Sequence, residues 1–377
     1  MAAPLLFVGA AAAMPQTPQY SERLERLTFD ALPGWAADNH RAALSSLQRI
    51  CSKPELLKNT VTDLVLKADD FEAQCPEIEV ALKTPKAARS FLETHFSPYR
   101  VVRKGFVTGY FEPELRASRH RTAVFQTPLH RKPSGLETVS PKNRPPDWPA
   151  DLSHGRLQNG ILIEMPDRGA IMDGALDQEA LELVWLESPI DAFFVHVQGS
   201  ARLRLDDGSV MRVGYAGKTG HPYTGVARLL VKRGEGAPED FTMSGLRTWL
   251  ETNPDRRDAL LRENRSYIFF REVVGAEPEQ GPVGSAGIAL SPGRSLAVDP
   301  AHIPFGALVF VSASFKDPDT PKRSFARLMV ADDSGSAIKG PVRGDIFAGS
   351  GKVAGDVAGD IRHEAEFVLL LPNAQTD

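Results

Sequence analysis

Apolar residues in the first hundred positions recur at intervals of three and four, which is the period of an amphipathic helix. The segments AALSSLQRI, VTDLVLKADDFEAQ and KAARSFLETHF have this pattern, and Thr84-Pro85 gives the third an N-cap and a first-turn proline. We therefore predict a group of helices within residues 20–100. Trp35, which follows Pro33-Gly34, is expected to be a packing anchor.

The pattern changes to strict alternation near residue 200, which indicates half-buried strands. The runs RLRL (202–205) and VMRV (210–213) flank Asp206-Asp207-Gly208, and Asp-Gly between alternating runs is typical of a hairpin. The apolar segment AFFVHV (192–197) is predicted to be a preceding strand. Gln198-Gly199-Ser200 interrupts it, which suggests a bulge or a close approach of another backbone.

Helices and then short strands follow. GVARLLVKRGE, residues 244–251 and the segment from Asn253-Pro254 to about 263 have helical patterns with end signals. SYIFF returns as a strand, and GIAL, RSLAVD, ALVFVSA, ARLMVA and EFVLLL are short strands between turns, which predicts a small closed barrel. Four glycines reduce GSGKVAGDVAGDI to a short helical turn at most. Residues 130–155, rich in proline, are predicted to be a long surface loop.

Carboxylates cluster where the C-terminal strands meet turns. Asp332 and Asp333 end the apolar run in ARLMVADDSGSAIKGPVRGDIF, Asp345 lies near its end, and Asp299 ends SLAVD. Functional side chains are often placed at strand ends, so Asp299, Asp333 and Asp345 are candidates for a single cleft. An ordinary Asp-Ser-Gly turn is the better explanation of any one of them alone, whereas the set favours a site. A divalent-metal site at Asp332, Asp333 and Asp345 is a less favoured alternative.

A second polar cluster is Thr108-Gly109-Tyr110, within RVVRKGFVTGYFEPEL. A hydroxyl, a glycine and an aromatic ring at a strand end are suited to binding a sugar by stacking and hydrogen bonding. The same residues are equally compatible with a half-buried edge strand and its turn. Glu112 and Glu114 are further candidate acids.

Composition narrows the classes of function. The chain has 377 residues, 42% hydrophobic content and a formal charge of −4, which gives no electrostatic footprint for nucleic acid. It shows no Cys/His spacing typical of a metal site, and Cys51 and Cys75 are compatible with one disulfide or with two buried thiols. The start of the chain (residues 1–19) contains PLLFVGAAAAM, which resembles a secretory signal but lacks its basic residues and a lipid-accepting Cys. It is too short to span a bilayer.

With these segments together, the chain resembles the membrane-bound lytic murein transglycosylase A family over roughly residues 106–371. The motifs are TGYFEP, QGSARL with its DDG hairpin, YAGKTGHPY, SYIFF, VDPAHIPFG, DDSGSAIKG and GDIFAGSG. The resemblance implies a mainly β fold with α: N-terminal helices and a double-psi β-barrel from residues 20–112 and 271–377, with a three-aspartate domain at 283–372. It implies a second β-barrel domain inserted at residues 113–270, and a cleft between the two that holds a glycan strand.

The resemblance also implies a reaction. The family cleaves the β-1,4 bond between N-acetylmuramic acid and N-acetylglucosamine of peptidoglycan and closes a 1,6-anhydro ring, without a cofactor or a metal. Asp345 matches the catalytic acid, which donates and then recovers a proton, and Asp333 and Asp299 match its acidic neighbours. The positions implied to line the substrate cleft are Thr108, Gly109, Tyr110, Gln198, Gly199, Ser200, Tyr215, Gly217, Gly335 and Lys339.

From the resemblance we expect a periplasmic monomer that acts on glycan strands and binds no nucleic acid, with no transmembrane segment. Association with the outer membrane and with the machinery of cell-wall synthesis and hydrolysis is left open. Two other functions are kept. One is a glycan-binding or wall-loosening protein without catalysis, since barrels of this kind also serve that way. The other is a conventional glycoside hydrolase, in which Asp333 or Glu112 activates water.

Overall fold

The computed structural model describes residues 23–51, 53, 74–274 and 280–373. The signal-like start and the predicted helix VTDLVLKADDFEAQ, apart from its last residue, lie outside the described residues. The strands are β1 (Leu24–Arg26), β2 (Phe96–Val101), β3 (Gly105–Glu112), β4 (Glu114–Ser118), β5 (Thr127–His130), β6 (Leu136–Thr138), β7 (His154–Gln158), β8 (Ile161–Ile163), β9 (Glu182–Leu186), β10 (Ser200–Leu205), β11 (Val210–Lys218), β12 (Ile268–Glu272), β13 (Ser295–Val298), β14 (Leu308–Lys316), β15 (Ser324–Ser334), β16 (Arg343–Ser350) and β17 (Arg362–Pro372). The α-helices are α1 (His40–Cys51), α2 (Cys75–Ala81), α3 (Pro85–His95), α4 (Arg168–Met172), α5 (Pro189–Gln198), α6 (Val226–Lys232), α7 (Met243–Thr252), α8 (Pro254–Arg262) and α9 (Gly351–Asp360).

Six strands form a closed barrel, in the order β17-β14-β15-β13-β16-β3, with β3 pairing back to β17. β2 and β1 extend the sheet beyond β17. The pairs β13–β15 and β16–β3 are parallel, so each needs a crossover connection rather than a hairpin. The whole second sheet lies between β3 and β16 in the sequence. The barrel therefore closes only after the chain has passed through this sheet and β16 pairs with β3.

Alternation along β14 and β15 gives the barrel wall two apolar faces. Val309 and Met329 pack in the barrel interior, whereas Phe310 and Leu328 point outward and pack against α1, α2 and α3. Trp35 is 1% exposed, and its ring lies 5.6 Å from that of Phe310. The predicted packing anchor is therefore confirmed, and it joins the N-terminal segment to the outside of the barrel.

The N-terminal helices are joined by a disulfide between Cys51, at the end of α1, and Cys75, at the start of α2. The disulfide is thus the correct alternative for these cysteines. Thr84 caps α3 by accepting a hydrogen bond from the amide of Ala87, and Pro85 occupies the first turn, as predicted. Among the described residues, no helix is both long and apolar enough to cross a membrane.

The second sheet also has six strands, in the order β12-β11-β10-β4-β9-β5, and a bridge between Arg131 and Phe270 brings its two edges together. Leu203, Val213 and Phe270 belong to its apolar core. The predicted hairpin is confirmed, because β10 and β11 pair in antiparallel register with Leu203 opposite Met211. The predicted mainly β fold, with a closed barrel, N-terminal helices and a second β-barrel, is confirmed as well.

The strand predicted for AFFVHV is wrong, because this segment belongs to α5. Ser188 caps the helix by accepting hydrogen bonds from the amides of Ile190 and Asp191, Pro189 lies in the first turn, and Gly199 ends the helix with a φ of 82°. Residues 192–196 are all buried, so the helix has no polar stripe within this run. Periodicity alone does not distinguish such a helix from a buried strand.

Three further predictions need correction. GSGKVAGDVAGDI forms the ten-residue helix α9 rather than a short turn, and its glycines let it lie close to β3. A β-carbon at Gly355 would lie 2.8 Å from the Phe111 ring, and one at Gly109 would lie 2.8 Å from Ala358. Residues 130–155 contain β6 and the start of β7, which form a small sheet with β8 rather than a loop alone. GIAL contributes only a bridge between Val283 and Ala289.

Candidate functional site

Four adjacent strands of the first barrel place a row of side chains next to one another. Asp333 on β15 is opposite Ala297 on β13, Ala297 is opposite Asp345 on β16, and Asp345 is opposite Thr108 on β3. Neighbouring strands lie about 4.8 Å apart, so roughly 10 Å separates the backbones of the two aspartates. Only the methyl group of Ala297 lies between them in the row.

A β-bulge in β15 decides which way Asp333 points. Ala331 pairs with Leu296 and belongs to the barrel interior, and in a regular strand Asp333, two residues further on, would point to the same side. The register shifts at this point, so that Asp333 pairs with Ala297. Asp333 therefore lies on the outer face of the barrel, which also carries Asp345.

Asp345 is half-buried, and a hydroxyl holds its carboxyl group. Thr108 Oγ1 donates a hydrogen bond to Asp345 Oδ1, and Arg343 Nη2 donates to Thr108 Oγ1 at 2.7 Å. Burial raises the pKa of Asp345 to about 6, although the Thr108 hydroxyl and the Arg343 charge oppose the shift, and the neighbouring Asp333 adds to it. A carboxyl group with this pKa is roughly half protonated at pH 6, where an ordinary aspartate is ionised.

Asp333, by contrast, is fixed by four hydrogen bonds. Its Oδ1 accepts from the amide and the hydroxyl of Ser285, both at 2.8 Å, and from the amide of Ser334 at 2.9 Å. Its Oδ2 accepts from the hydroxyl of Tyr110 at 2.6 Å. Burial raises the pKa of Tyr110, and the Asp333 carboxylate raises it further, so the phenol remains a donor. A carboxylate held in this way is a fixed negative charge rather than a mobile base.

Asp299 follows β13 but does not lie in the row. It is 7% exposed and accepts hydrogen bonds from the amides of Gly340 at 2.9 Å and Ala301 at 3.3 Å, and Lys339 Nζ lies 3.6 Å from its Oδ1. Burial opposes its ionisation, but the Gly340 amide and the charge of Lys339 outweigh burial and hold the pKa of Asp299 below its usual value. Asp299 thus anchors the loop between β15 and β16, in which Gly335 and Lys339 lie.

Asp332 is fully buried beside the row. Ser295 Oγ donates a hydrogen bond to its Oδ2 at 2.6 Å, and burial raises the pKa of this carboxyl well above its usual value. Because Asp332 has no exposed surface, we interpret it as part of the packing at the bulge in β15. Within the described part of the chain, no three His, Cys, Asp or Glu side chains are grouped so that they could hold a metal ion.

The second barrel brings the loop after β11 to the same region. Lys218 Nζ donates a hydrogen bond to Ser336 Oγ at 3.4 Å, in the turn that follows Asp333. Burial raises the pKa of Tyr223, and the charge of Asp345 acts in the same direction, so this phenol lies within electrostatic reach of the candidate acid. Residues of both barrels therefore border the surface on which Asp333 and Asp345 lie.

Three predicted cleft residues lie at the end of β11 and in the loop between β15 and β16, which meet here. Tyr215 is 47% exposed at a bulge in β11, which lies between Tyr215 and Gly217. A β-carbon at Gly217 would lie 3.0 Å from Lys132 Cδ, and one at Gly335 would lie 2.9 Å from Ile338 Cγ1. Close side-chain packing at both positions thus favours glycine, and the Tyr215 ring is accessible.

Four other predicted cleft residues lie at contacts between secondary-structure elements. Gln198 Oε1 accepts a hydrogen bond from the amide of Phe111 at 2.9 Å, which ties the end of α5 to β3. Gly199 has the positive φ that ends α5, and Ser200 is buried at the first position of β10. Gly109 faces α9, away from the row of acids. The structure thus brings together Asp345, Asp333, Thr108 and Tyr110. The four residues of this paragraph lie outside that group, at contacts between neighbouring elements.

Glu112, a second candidate acid, is fully buried between the two barrels. Arg212 Nε lies 2.8 Å from Glu112 Oε1, and Ser350 Oγ donates to Oε2 at 2.7 Å. Arg212 also donates to the carbonyl of Gln280 at 2.8 Å. The ion pair therefore joins the chain segment that leaves the first barrel to the segment that returns to it, and Glu112 has no access to solvent.

Sequence reasoning missed Arg343, Ser285 and Tyr223. Arg343 lies two residues before Asp345, and alternation along β16 would have placed both on one face. Tyr223 ends the motif YAGKTGHPY, but the motif was identified without a role for this residue. Ser285 lies in a loop and reaches Asp333 only through the fold, so no sequence signal marks it.

A large groove of about 1370 Å³ lies elsewhere, along the start of β15 and the end of β2. Several of its charged side chains are paired with one another, as in Arg294 with Asp38 at 2.8 Å and Arg327 with Asp317 at 2.7 Å. None of the candidate residues lines it. The candidate site is therefore defined by the row of side chains and not by this groove.

Comparison with known proteins identifies both regions. Residues 106–271 match the MltA specific insert domain, and residues 294–371 match the 3D domain. The chain is 34% identical over 260 residues to membrane-bound lytic murein transglycosylase A of Escherichia coli K12, a match that spans 68% of this chain and 62% of that protein. The structure is similar to that of a membrane-bound lytic murein transglycosylase from Agrobacterium tumefaciens, with 40% identity, a TM-score of 0.86 and coverage of 93% of this chain and 97% of that one. It is also similar to E. coli MltA with bound chitohexaose, with 26% identity, a TM-score of 0.66 and coverage of 89% and 90%.

Proposed function

The chain belongs to the membrane-bound lytic murein transglycosylase A family, and we propose that it cleaves the β-1,4 bond between N-acetylmuramic acid and N-acetylglucosamine in peptidoglycan, with closure of a 1,6-anhydro ring. The observation that carries this proposal is the state of Asp345. Its pKa is raised to about 6, whereas the carboxylates around it are buried or committed to fixed partners. This arrangement fits a mechanism in which Asp345 alone acts first as the general acid and then as the general base.

The hydrogen bonds at Asp345 assign the position of its proton. A guanidinium group only donates, so Thr108 Oγ1 accepts from Arg343, and the single hydroxyl proton of Thr108 goes to Asp345 Oδ1. Because Oδ1 is occupied as an acceptor, the acidic proton lies on Oδ2. Thr108 and Arg343 are thus positioning residues that present one oxygen of Asp345 to the substrate.

The reaction then needs no second base. Asp345 Oδ2 gives its proton to the glycosidic oxygen as the bond from C1 of N-acetylmuramic acid to that oxygen breaks. The released sugar leaves with a free C4 hydroxyl. The C6 hydroxyl of N-acetylmuramic acid attacks its own C1, and its proton returns to the Asp345 carboxylate. The residue ends in the state in which it began, and no water is consumed.

Asp333 acts in this scheme as a fixed charge. Its carboxylate helps to raise the pKa of Asp345, and its position on the same face of the barrel suits it to stabilise positive charge that develops at C1. Tyr110 orients Asp333, and Asp299 anchors the loop that carries Lys339. Tyr215 is proposed as a stacking surface for a sugar ring because its side chain is exposed beside the same loop.

A conventional hydrolase is the less supported alternative. It requires a carboxylate free to activate water, but Asp333 accepts four hydrogen bonds and Glu112 is buried in an ion pair with Arg212. A binding protein without catalysis has no need of an aspartate with a raised pKa. Burial at a purely structural position also raises the pKa of an aspartate. The release of soluble glycan fragments therefore distinguishes the enzyme from a binding protein.

The substrate implies the place of action. Peptidoglycan lies outside the cytoplasmic membrane, so we infer that the chain works in the periplasm, on glycan strands. Association with the outer membrane and with the enzymes that build and remodel the wall fits a role in wall turnover.

The products of purified murein sacculi test the proposal. Mass spectrometry of soluble fragments from the wild-type chain should show disaccharide ends that lack one water relative to hydrolysed ends. Hydrated reducing ends would identify a hydrolase instead. Binding to sacculi with no soluble fragment would identify a binding protein.

A further inference from the structure

Three lysines from three separate segments meet where the barrels face each other. They are Lys132 after β5, Lys218 at the end of β11 and Lys339 in the loop between β15 and β16, and we refer to them as the lysine cluster. The Lys132 stem lies on the backbone next to Lys218, since a β-carbon at Gly217 would be 3.0 Å from its Cδ. Lys218 Nζ reaches Ser336, three residues before Lys339.

The cluster has little negative charge to balance it. In the part of the chain that the structure describes, Lys132 and Lys218 have no carboxylate within ion-pair distance, and Lys218 has only the Ser336 hydroxyl at 3.4 Å. Lys339 lies 3.6 Å from Asp299 Oδ1, but that carboxylate also serves two backbone amides. Lys218 is half-buried, whereas Lys132 and Lys339 are exposed. A half-buried ammonium group without a counter-ion is unfavourable, and an anionic ligand beside Lys218 would relieve this.

Neighbouring groups respond to the positive charge. Burial lowers the pKa of Lys218, and Lys339 lowers it further. Burial, Lys218 and Lys132 together lower the pKa of His154 to about 4, so this imidazole is neutral near neutral pH. Lys218 is therefore within electrostatic reach of Lys339, and His154 is within reach of Lys218 and Lys132, in a chain whose formal net charge is −4.

We propose that the lysine cluster is a subsite that binds a carboxylate of the substrate, so that the cleft distinguishes a muramic-acid glycan from a neutral one. This inference rests on the proposed function, because it names a group of the same substrate. One short turn, from Asp333 to Ser336, connects the cluster to Asp333, which lies in the same row as Asp345. A sugar bound over this row would therefore lie beside the loop that carries Lys339.

Two sources of carboxylate share this chemistry. N-acetylmuramic acid carries a lactyl ether that ends in a carboxylate when no peptide is attached. When a peptide is attached, that group is an amide, and the acidic residues of the peptide supply carboxylates instead. A neutral oligomer of N-acetylglucosamine has neither, so it is the matched probe without charge.

The test measures dissociation constants by calorimetry, with D345N as the background so that cleavage of the probes is slow. The variants are K132M and K218M in combination, and K104M as the control. Lys104 pairs with Glu364 at 3.2 Å in the groove along the start of β15 and the end of β2. Its replacement therefore removes one positive charge at a site away from the cleft. The probes are a peptide-free muramic-acid tetrasaccharide, its lactyl methylamide, a peptide-bearing tetrasaccharide and chitohexaose.

Loss of charge-assisted hydrogen bonds should weaken binding of carboxylate-bearing probes about ten-fold or more in the double variant. Affinity for the methylamide and for chitohexaose should stay within about two-fold, and K104M should match its background. Loss confined to the peptide-bearing probe assigns the carboxylate to the peptide, and loss with the peptide-free probe assigns it to the lactyl group. Equal loss for charged and neutral probes, or no loss at all, would overturn the subsite while the proposed function stands. A background protein that binds none of the glycans would overturn both.

Discussion

Replacing Asp345 by Asn is expected to slow turnover strongly and, above pH 6, to stabilise the fold. The carboxyl group has a pKa of about 6 in the folded chain, against 3.8 for the free side chain. Between these values the folded state binds more protons than the unfolded state, so the stability of the wild type falls as pH rises from about 4 to about 6. Asn has nearly the same shape, offers Oδ1 to the Thr108 hydroxyl and does not ionise.

The size of the effect follows from the shift. A difference of about two pKa units at 1.36 kcal/mol each makes ionisation of Asp345 cost about 3 kcal/mol of folding free energy. The gain from D345N should therefore be close to zero below about pH 4, grow through pH 5, and reach about 3 kcal/mol above pH 7.

Urea unfolding followed by tryptophan fluorescence at pH 4 and pH 8 measures this gain. Trp35 reports on the first barrel because it is buried against Phe310. D206N, in the exposed hairpin turn, is the matched control and should show no gain that grows with pH. If D345N were less stable than the wild type at pH 8, or differed from it equally at both pH values, the raised pKa and the role built on it would be wrong.

The other predictions concern the groups around the acid. The wild-type kcat/KM should fall above about pH 6, and T108V should move this limb to higher pH and slow the reaction, whereas T108S should keep both close to wild type. R343M should also move the limb upward, because it removes a cation that lowers the pKa of the acid, and the same pH–rate profile measures it. D299A should raise KM more than it lowers kcat, since it releases a loop and not the acid; a loss confined to kcat would contradict this. R212M should destabilise the fold by up to about 3–5 kcal/mol in urea, because it removes the nearer cation from buried Glu112 and leaves only Arg202, at 3.7 Å, and R212M combined with E112Q should recover part of the loss.

The sequence predicted correctly those features of the fold that depend on interactions between residues close together in the chain. The cap at Thr84, the hairpin at Asp207-Gly208 and the short C-terminal strands were identified from residues within a few positions of one another. The strand predicted for AFFVHV was wrong because residues 192–196 of this run in α5 are all buried. Its apolar residues therefore show neither the helical nor the strand period. The domain boundaries at residues 112–113 and 270–271 stay predictions.

The site depends on features that local patterns do not contain. Asp333 would point into the barrel without the register shift after Ala331, and a bulge leaves no mark in a run such as VADDS. Asp345 meets Thr108 only because β16 pairs with β3 across the whole inserted sheet. The sequence therefore identified the acids, whereas the fold assigns one of them a raised pKa and gives another fixed partners.

The most direct measurement compares the initial rate at which wild type and D345N release anhydro-ended fragments from sacculi at pH 6, at equal concentrations of folded protein. The account predicts that D345N stays folded and releases them roughly 10²–10⁴-fold more slowly, the usual contribution of a general acid–base residue. Release at the wild-type rate by folded D345N would contradict it.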